Sequence, residues 1–184
     1  MAVFVVMLRA IGPVTHKIMS MADWRAAVAA AGFDAPETHV ATGNMVVSGE
    51  GTMAQVTRRM DEIVQQLGLG PGNKAIVRGP RQMQALLKAD PFPEASSTRP
   101  GAVAAYFFAG ASPDFDWVTG YKGPERIHIA GQHLIVDYDD RVTGSSLPGI
   151  IERKSGTVTA RNWNTLRALA EKAAARQKDQ KTSS

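Results

Sequence analysis

The sequence predicts an α+β protein of two ferredoxin-like (split β-α-β) halves in tandem, with helices packed on mixed or antiparallel sheets and a C-terminal helix. Three observations predict it. The order strand, helix or loop, two strands, helix, strand can be read twice along the 184 residues, and that order is the split β-α-β pattern. A further helical pattern follows each copy. The apolar content of 44% and charged content of 21% are those of an ordinary globular chain, long enough for one domain or two small ones. The residues of the two copies do not repeat, so the duplication is one of pattern alone.

Residues 2–9 are a continuous apolar run closed by Arg9, as in a strand buried on both faces. After a loop holding Gly12 and Pro13, Ser20 and Asp23 stand as a capping box, Trp24, Val28 and Ala31 recur at helical spacing, and Gly32 ends the helix. Thr38–Ala41 and Met45–Ser48 read as two short strands joined at Thr42-Gly43-Asn44, or as one kinked strand. Thr52 and Gln55 form a second capping box, followed by Val56, Met60, Ile63 and Leu67 at helical spacing and a stop at Gly68. A strand at 75–78 and a helix opened by Pro80 complete the first half.

The second half opens with the apolar strand 103–108 and a short helix or loop near 112–120. A two-residue turn at Gly131-Gln132 sets a hairpin register, with Ala130 facing His133, Ile129 facing Leu134 and Ile127 facing Val136. The same register sets Arg126 opposite Asp137 as a cross-strand ion pair. Ser145 or Ser146 caps a short helix ended by Gly156, and a strand at 157–159 leads to the last helix. There Trp163, Leu166, Ala170 and Ala173 form the inward stripe. These patterns divide the chain into a first half (1–91), a linker (92–101), a second half with the C-terminal helix (102–178) and a disordered tail (179–184).

Cysteine is absent, which excludes disulfides, thiolate metal sites and cysteine nucleophiles and fits a reducing compartment. The first apolar run lacks the flanks of a signal peptide, and no run is long enough to span a bilayer. A cytoplasmic location without membrane association is expected. The net charge of +4 suggests a polyanion partner, but its distribution argues otherwise. Residues 167–184 hold five basic side chains against two acidic ones, so the other 166 residues are close to neutral. Basic residues near a helix C-terminus are what the macrodipole favours.

Arg161-Asn162-Trp163-Asn164-Thr165 begins the last helix with a cation, two amides, an indole and a hydroxyl. Such residues either cap the helix or hold an anion on its free N–H groups. In the first alternative Asn162 is the cap, Trp163 packs in the core and Arg161 pairs with a surface acid. Arg9 needs a partner or a cleft, or reaches solvent along its stem. Lys17 and His16 lie on the loop after that strand, and Thr42-Gly43-Asn44 is either a polar corner aimed at a ligand or turn chemistry alone.

Leu8-Arg9, Lys17-Ile18 with Met21, Thr42-Gly43-Asn44, Asp90-Pro91-Phe92-Pro93 and Arg161–Thr165, in this chain order, resemble the bacterial proteins grouped as domain of unknown function 1697. The resemblance implies an α+β fold with ferredoxin-like halves and no activity. After its Arg the family commonly runs Gly-Ile-Asn-Val-Gly-Gly, whereas this chain has Ala10-Ile11-Gly12-Pro13-Val14. Any role of those glycines in bringing backbone close to a ligand is weakened here.

The leading functional expectation is a non-catalytic module binding a small phosphate- or carboxylate-bearing ligand. Its cleft is lined by Arg9, Lys17, Thr42, Asn44, Arg161, Asn162 and Asn164, the cations supplying charge and the amides and hydroxyl orientation. The alternatives are a nucleic-acid binder using Tyr106, Phe107 and Phe108 on an open sheet face, and an enzyme on a phosphorylated or acyl substrate with Arg9 or Arg161 stabilising charge. No catalytic residue, cofactor or metal is expected. The histidines His16, His39, His128 and His133 lack a third ligand, the acids Asp137 and Asp139 suit an ion pair, and Ser145-Ser146 lacks a nucleophile motif.

Overall fold

A computed structural model describes residues 1–183 as two four-stranded sheets, each with its own helices. The chain divides into one unit of residues 1–84 together with the chain from Leu169 onward, and a second unit of residues 85–168.

In the first unit the elements are β1 (Ala2–Leu8), α1 (Pro13–His16), α2 (Met21–Ala30), β2 (Asp34–His39), β3 (Asn44–Gly49), α3 (Met53–Gln66) and β4 (Ala75–Arg78). The sheet order is β2-β3-β1-β4 with every pair antiparallel, as a split β-α-β unit requires. Both capping boxes form: Ser20 accepts from the Asp23 N–H, and Thr52 accepts from the Gln55 N–H. Phe4, Val6, Leu8, Met45 and Val47 turn one sheet face towards Trp24 and Val28 of α2 and Val56, Met60 and Ile63 of α3. Each large side chain so buried contributes about 1.5–3 kcal/mol.

The opposite face is buried as well, with Val5, Met7 and Val46 fully inaccessible. This is why β1 shows no alternation. Its cover includes the later part of α7 (Trp163–Thr182), where Arg176 Nη1 donates to the Val46 carbonyl at 2.8 Å. Lys172 and Arg176 both pair with Glu37, and the Lys172 ammonium holds the Glu37 carboxyl below its usual range. Gln84 of α4 (Pro80–Ala89) donates to the Ala170 carbonyl at 3.2 Å. α7 continues to Thr182, with Gln180 Nε2 donating to Ser48 Oγ at 2.7 Å, where the sequence predicts a disordered tail over 179–184. Residue 184 lies outside the described residues.

In the second unit α5 (Pro93–Thr98) and a 3-10 turn precede β5 (Val103–Phe108). A 3-10 turn at Asp116–Gly120, β6 (Arg126–Ala130), β7 (His133–Asp137), α6 (Leu147–Ser155) and β8 (Val158–Asn162) follow. The order β6-β7-β5-β8, all antiparallel, repeats that of the first sheet. A 3-10 turn stands where the first unit has α2. Tyr106, Phe108, Leu134 and Val136 pack against Leu147 and Ile151 of α6 on one face.

The β6–β7 register is the expected one at every position, from Ala130 opposite His133 to Arg126 opposite Asp137. Arg126 Nε donates to Asp137 Oδ2 at 3.0 Å, and Arg99 Nη2 donates to the same oxygen at 2.8 Å. Residues 92–101, expected as a linker, instead hold α5. Pro91 and Pro93 suggest a break, yet Pro93 occupies the first turn of that helix, where its missing N–H costs nothing. β2 also begins earlier than expected, at Asp34. It is an edge strand, which tolerates Pro36 and a polar sequence.

Candidate functional site

Four expected site residues belong to the first unit and cluster at the end of β1. Arg9 is half-buried and donates Nη1 to the Gly72 carbonyl at 3.1 Å. The Asn73 amide donates to the carbonyls of Arg9 and Ala10. Lys17 is exposed just after α1, and its neighbour His16 sets Nε2 2.6 Å from the Ala41 carbonyl oxygen, tying α1 to the β2–β3 turn. Thr42 is exposed in that turn, whereas Asn44 is fully buried. Asn44 Nδ2 donates to the His39 carbonyl at 3.1 Å and to Thr42 Oγ1 at 2.9 Å. Asn44 thereby closes its hairpin.

The backbone here is held tightly. Gly43 takes φ 79°, and a Cβ on it would meet Ile11 Cγ1 at 2.8 Å and Leu8 Cβ at 2.9 Å. Ala10 and Val40 have positive φ, 60° and 49°, without being glycine. Such geometry persists only where surrounding contacts enforce it. Ala10 stands where the resembled family commonly has its first glycine.

The other three expected residues belong to the second unit. Arg161 is not the surface cation of the capping alternative: it is buried, donating Nη1 to Thr159 Oγ1 at 2.6 Å and to the Ala160 carbonyl at 2.9 Å. Burial pushes its pKa down to about 10, which leaves it charged at neutral pH. Asn162 Oδ1 accepts from the Thr165 N–H at 3.0 Å, the bond of an N-cap to the third helical residue. Trp163 is buried as expected, and Asn164 is exposed.

Sequence reasoning passed over a cavity of about 720 Å³ at the opposite end of β1. Its walls come from the start of β1 (Val3 and Phe4), from Met53 at the head of α3, from Gly79–Gln82 at the head of α4, and from Gln177, Gln180 and Lys181 late in α7. The floor is apolar. Arg81 and Lys181 supply two cations, three glutamines supply amides, and no carboxylate lines it among the described residues. Gln82 Oε1 accepts from the Gly79 N–H at 2.9 Å and so fixes the start of α4. Gln180 Nε2 donates to Ser48 Oγ at 2.7 Å. The only sequence signals were Gly79-Pro80 at a helix start and the basic side chains of 167–184.

The aromatics of the nucleic-acid alternative, Tyr106, Phe107 and Phe108, are buried at 4%, 0% and 1% exposure, so they offer no stacking platform. Among the described residues no three His, Asp or Glu side chains are grouped to hold a metal ion. None of the described helices is long and apolar enough to cross a membrane.

No curated protein matches the chain. A solved structure of a conserved bacterial protein from Streptococcus pneumoniae is similar, with a TM-score of 0.71 at 15% identity, over 95% of this chain and 99% of that one. That likeness shows the shared α+β fold. The family model described as "Protein of unknown function (DUF1697)" matches residues 1–134, all of β1 to β6 and the start of β7. Its span ends before Arg161–Thr165 and includes Leu8-Arg9, Thr42-Gly43-Asn44 and Asp90–Pro93. With nearly three quarters of its length matched, the chain belongs to the DUF1697 family.

Proposed function

We propose that the chain is a binding module for a small carboxylate- or phosphate-bearing ligand with an apolar body, seated in the cavity at the start of β1. One observation carries the reading: the 720 Å³ cavity is lined by two cations, three amides and apolar side chains, without a carboxylate. That volume lies within the range of about 300–1,000 Å³ typical of small-molecule sites, and charge of one sign over low-dielectric walls concentrates counter-charged ligands. Glutamine side chains both donate and accept, so they orient a bound anion rather than attract it.

The test compares octanoate with octanol by calorimetry. Octanoate binds, octanol binds at least about tenfold more weakly, and Arg81→Ala with Lys181→Ala removes the difference, since each charge-assisted hydrogen bond is worth about 1.5–3 kcal/mol. Equal affinity for the two probes, or no binding of either, sinks the reading.

A second seat for the same ligand class is the loop cluster presenting Arg9, Lys17 and Thr42. The observation favouring it is the positive φ of Ala10 and Val40, because strain of this kind gathers at ligand clamps.

A further inference from the structure

The second unit holds its own cavity, of about 520 Å³, built from the segment before β6 and the loop between β7 and α6. It differs in chemistry from the cavity of the first unit. Its lining combines a carboxylate, Glu125, and a guanidinium, Arg141, with the hydroxyls of Tyr121, Thr143, Ser145 and Ser146.

Glu125 is organised by its neighbours. Ser145 Oγ donates to Oε1, and the Tyr121 hydroxyl donates to Oε2 at 2.5 Å. Burial works to raise the Glu125 pKa, but these two donors, with Arg141 nearby, hold it below the usual carboxylate range. Burial, with Glu125 beside it, pushes the Tyr121 pKa up to about 12, so Tyr121 stays protonated and donates. The Glu125 backbone N–H is a third donor, so three of the four carboxylate lone pairs are taken and one remains for a ligand. Ser145 Oγ also accepts from the Leu147 N–H at 3.1 Å, which ties the arrangement to the first turn of α6. The Arg141 backbone is anchored by its N–H on the Tyr138 carbonyl at 2.9 Å.

A simple anion would meet the Glu125 charge, and a simple amine would meet Arg141. A ligand carrying both charges a few bonds apart meets neither penalty. We propose that this cavity takes a free α-amino acid, its ammonium on Glu125 and its carboxylate on Arg141, with the surrounding hydroxyls completing both sets of hydrogen bonds. This site uses the second unit alone and is independent of the ligand proposed for the first.

The test uses the full chain and NMR titration of each common amino acid to about 10 mM, the range of weak metabolite binding. At least one amino acid shifts the amides of residues 121–125 and 141–147. Its methyl ester and its N-acetyl derivative each bind about tenfold or more weakly, as loss of one charged contact requires. Glu125→Gln and Arg141→Gln give the same loss. The Arg141 side chain is 55% exposed, so that variant is expected to fold even where Glu125→Gln disturbs the loop, and thermal melts check this. The proposal is overturned if no amino acid shifts those amides, if the N-acetyl form binds as well as the parent, or if folded Arg141→Gln keeps the parent affinity.

Discussion

Gln180, in the last turns of α7, donates its side-chain amide to the hydroxyl of Ser48 on β3 at 2.7 Å. Ser48 is 1% exposed, so the bond satisfies a buried hydroxyl and holds the wall of the first unit's cavity in place. Gln180→Ala is expected to cost about 1 kcal/mol in urea unfolding, the penalty of an unsatisfied buried group. It also shortens the protection of the 177–182 amides from hydrogen exchange. Unchanged protection would mean that α7 is held there by other contacts.

Asn162 acts as a helix cap, and its substitutions separate that role from ligand binding. Asn162→Ala is expected to lose about 1 kcal/mol of stability, whereas Asn162→Asp loses little because a carboxylate also caps and suits the helix N-terminus. Equal losses in chemical denaturation of the two variants would contradict the capping role.

The loop end of the first sheet predicts two changes of opposite sign. Ala10 holds φ 60°, where an L side chain costs about 1 kcal/mol, so Ala10→Gly stabilises by roughly 0.5–1 kcal/mol. Gly43→Ala adds a Cβ against Leu8 and Ile11 at φ 79° and destabilises by about 2–4 kcal/mol, combining backbone strain with overpacking. Thermal melts of the pair check both directions.

Asp137 predicts the acid limb of stability in the second unit. Burial opposes its ionisation, but Arg126, the Asp139 N–H and Arg99 hold its pKa below the ordinary 3.8. A depressed carboxylate pKa stabilises the fold above the ordinary value, and that stability is lost as pH falls through the lower folded value. Asp137→Asn is therefore expected to cost about 3 kcal/mol near neutrality, by breaking a buried pair, and to flatten the loss below pH about 4. The pH dependence of urea midpoints reads both.

Much of this fold was legible because its signals are local. The turn Gly131-Gln132 fixed the register that pairs Arg126 with Asp137, and the boxes Ser20/Asp23 and Thr52/Gln55 marked helix starts that the structure shows. What escaped was set by tertiary context. Helix α5 hides behind Pro91 and Pro93, β2 is polar because it lies at an edge, and α7 reaches Thr182 through contacts with Glu37, Val46 and Ser48. The cavity escaped for the same reason. Its walls come from residues near 1–4, 53, 79–82 and 177–181, and no spacing in the sequence joins them.

The most direct test of the anion-binding reading is a backbone-amide map of octanoate binding. Shifts are expected at Phe4, Gly79, Arg81, Gln82 and Gln180, which line the cavity beside the start of β1. Shifts confined to Arg9, Lys17 and Thr42 would move the ligand to the other end of that strand, and no shifts at either end would contradict anion binding by the first unit.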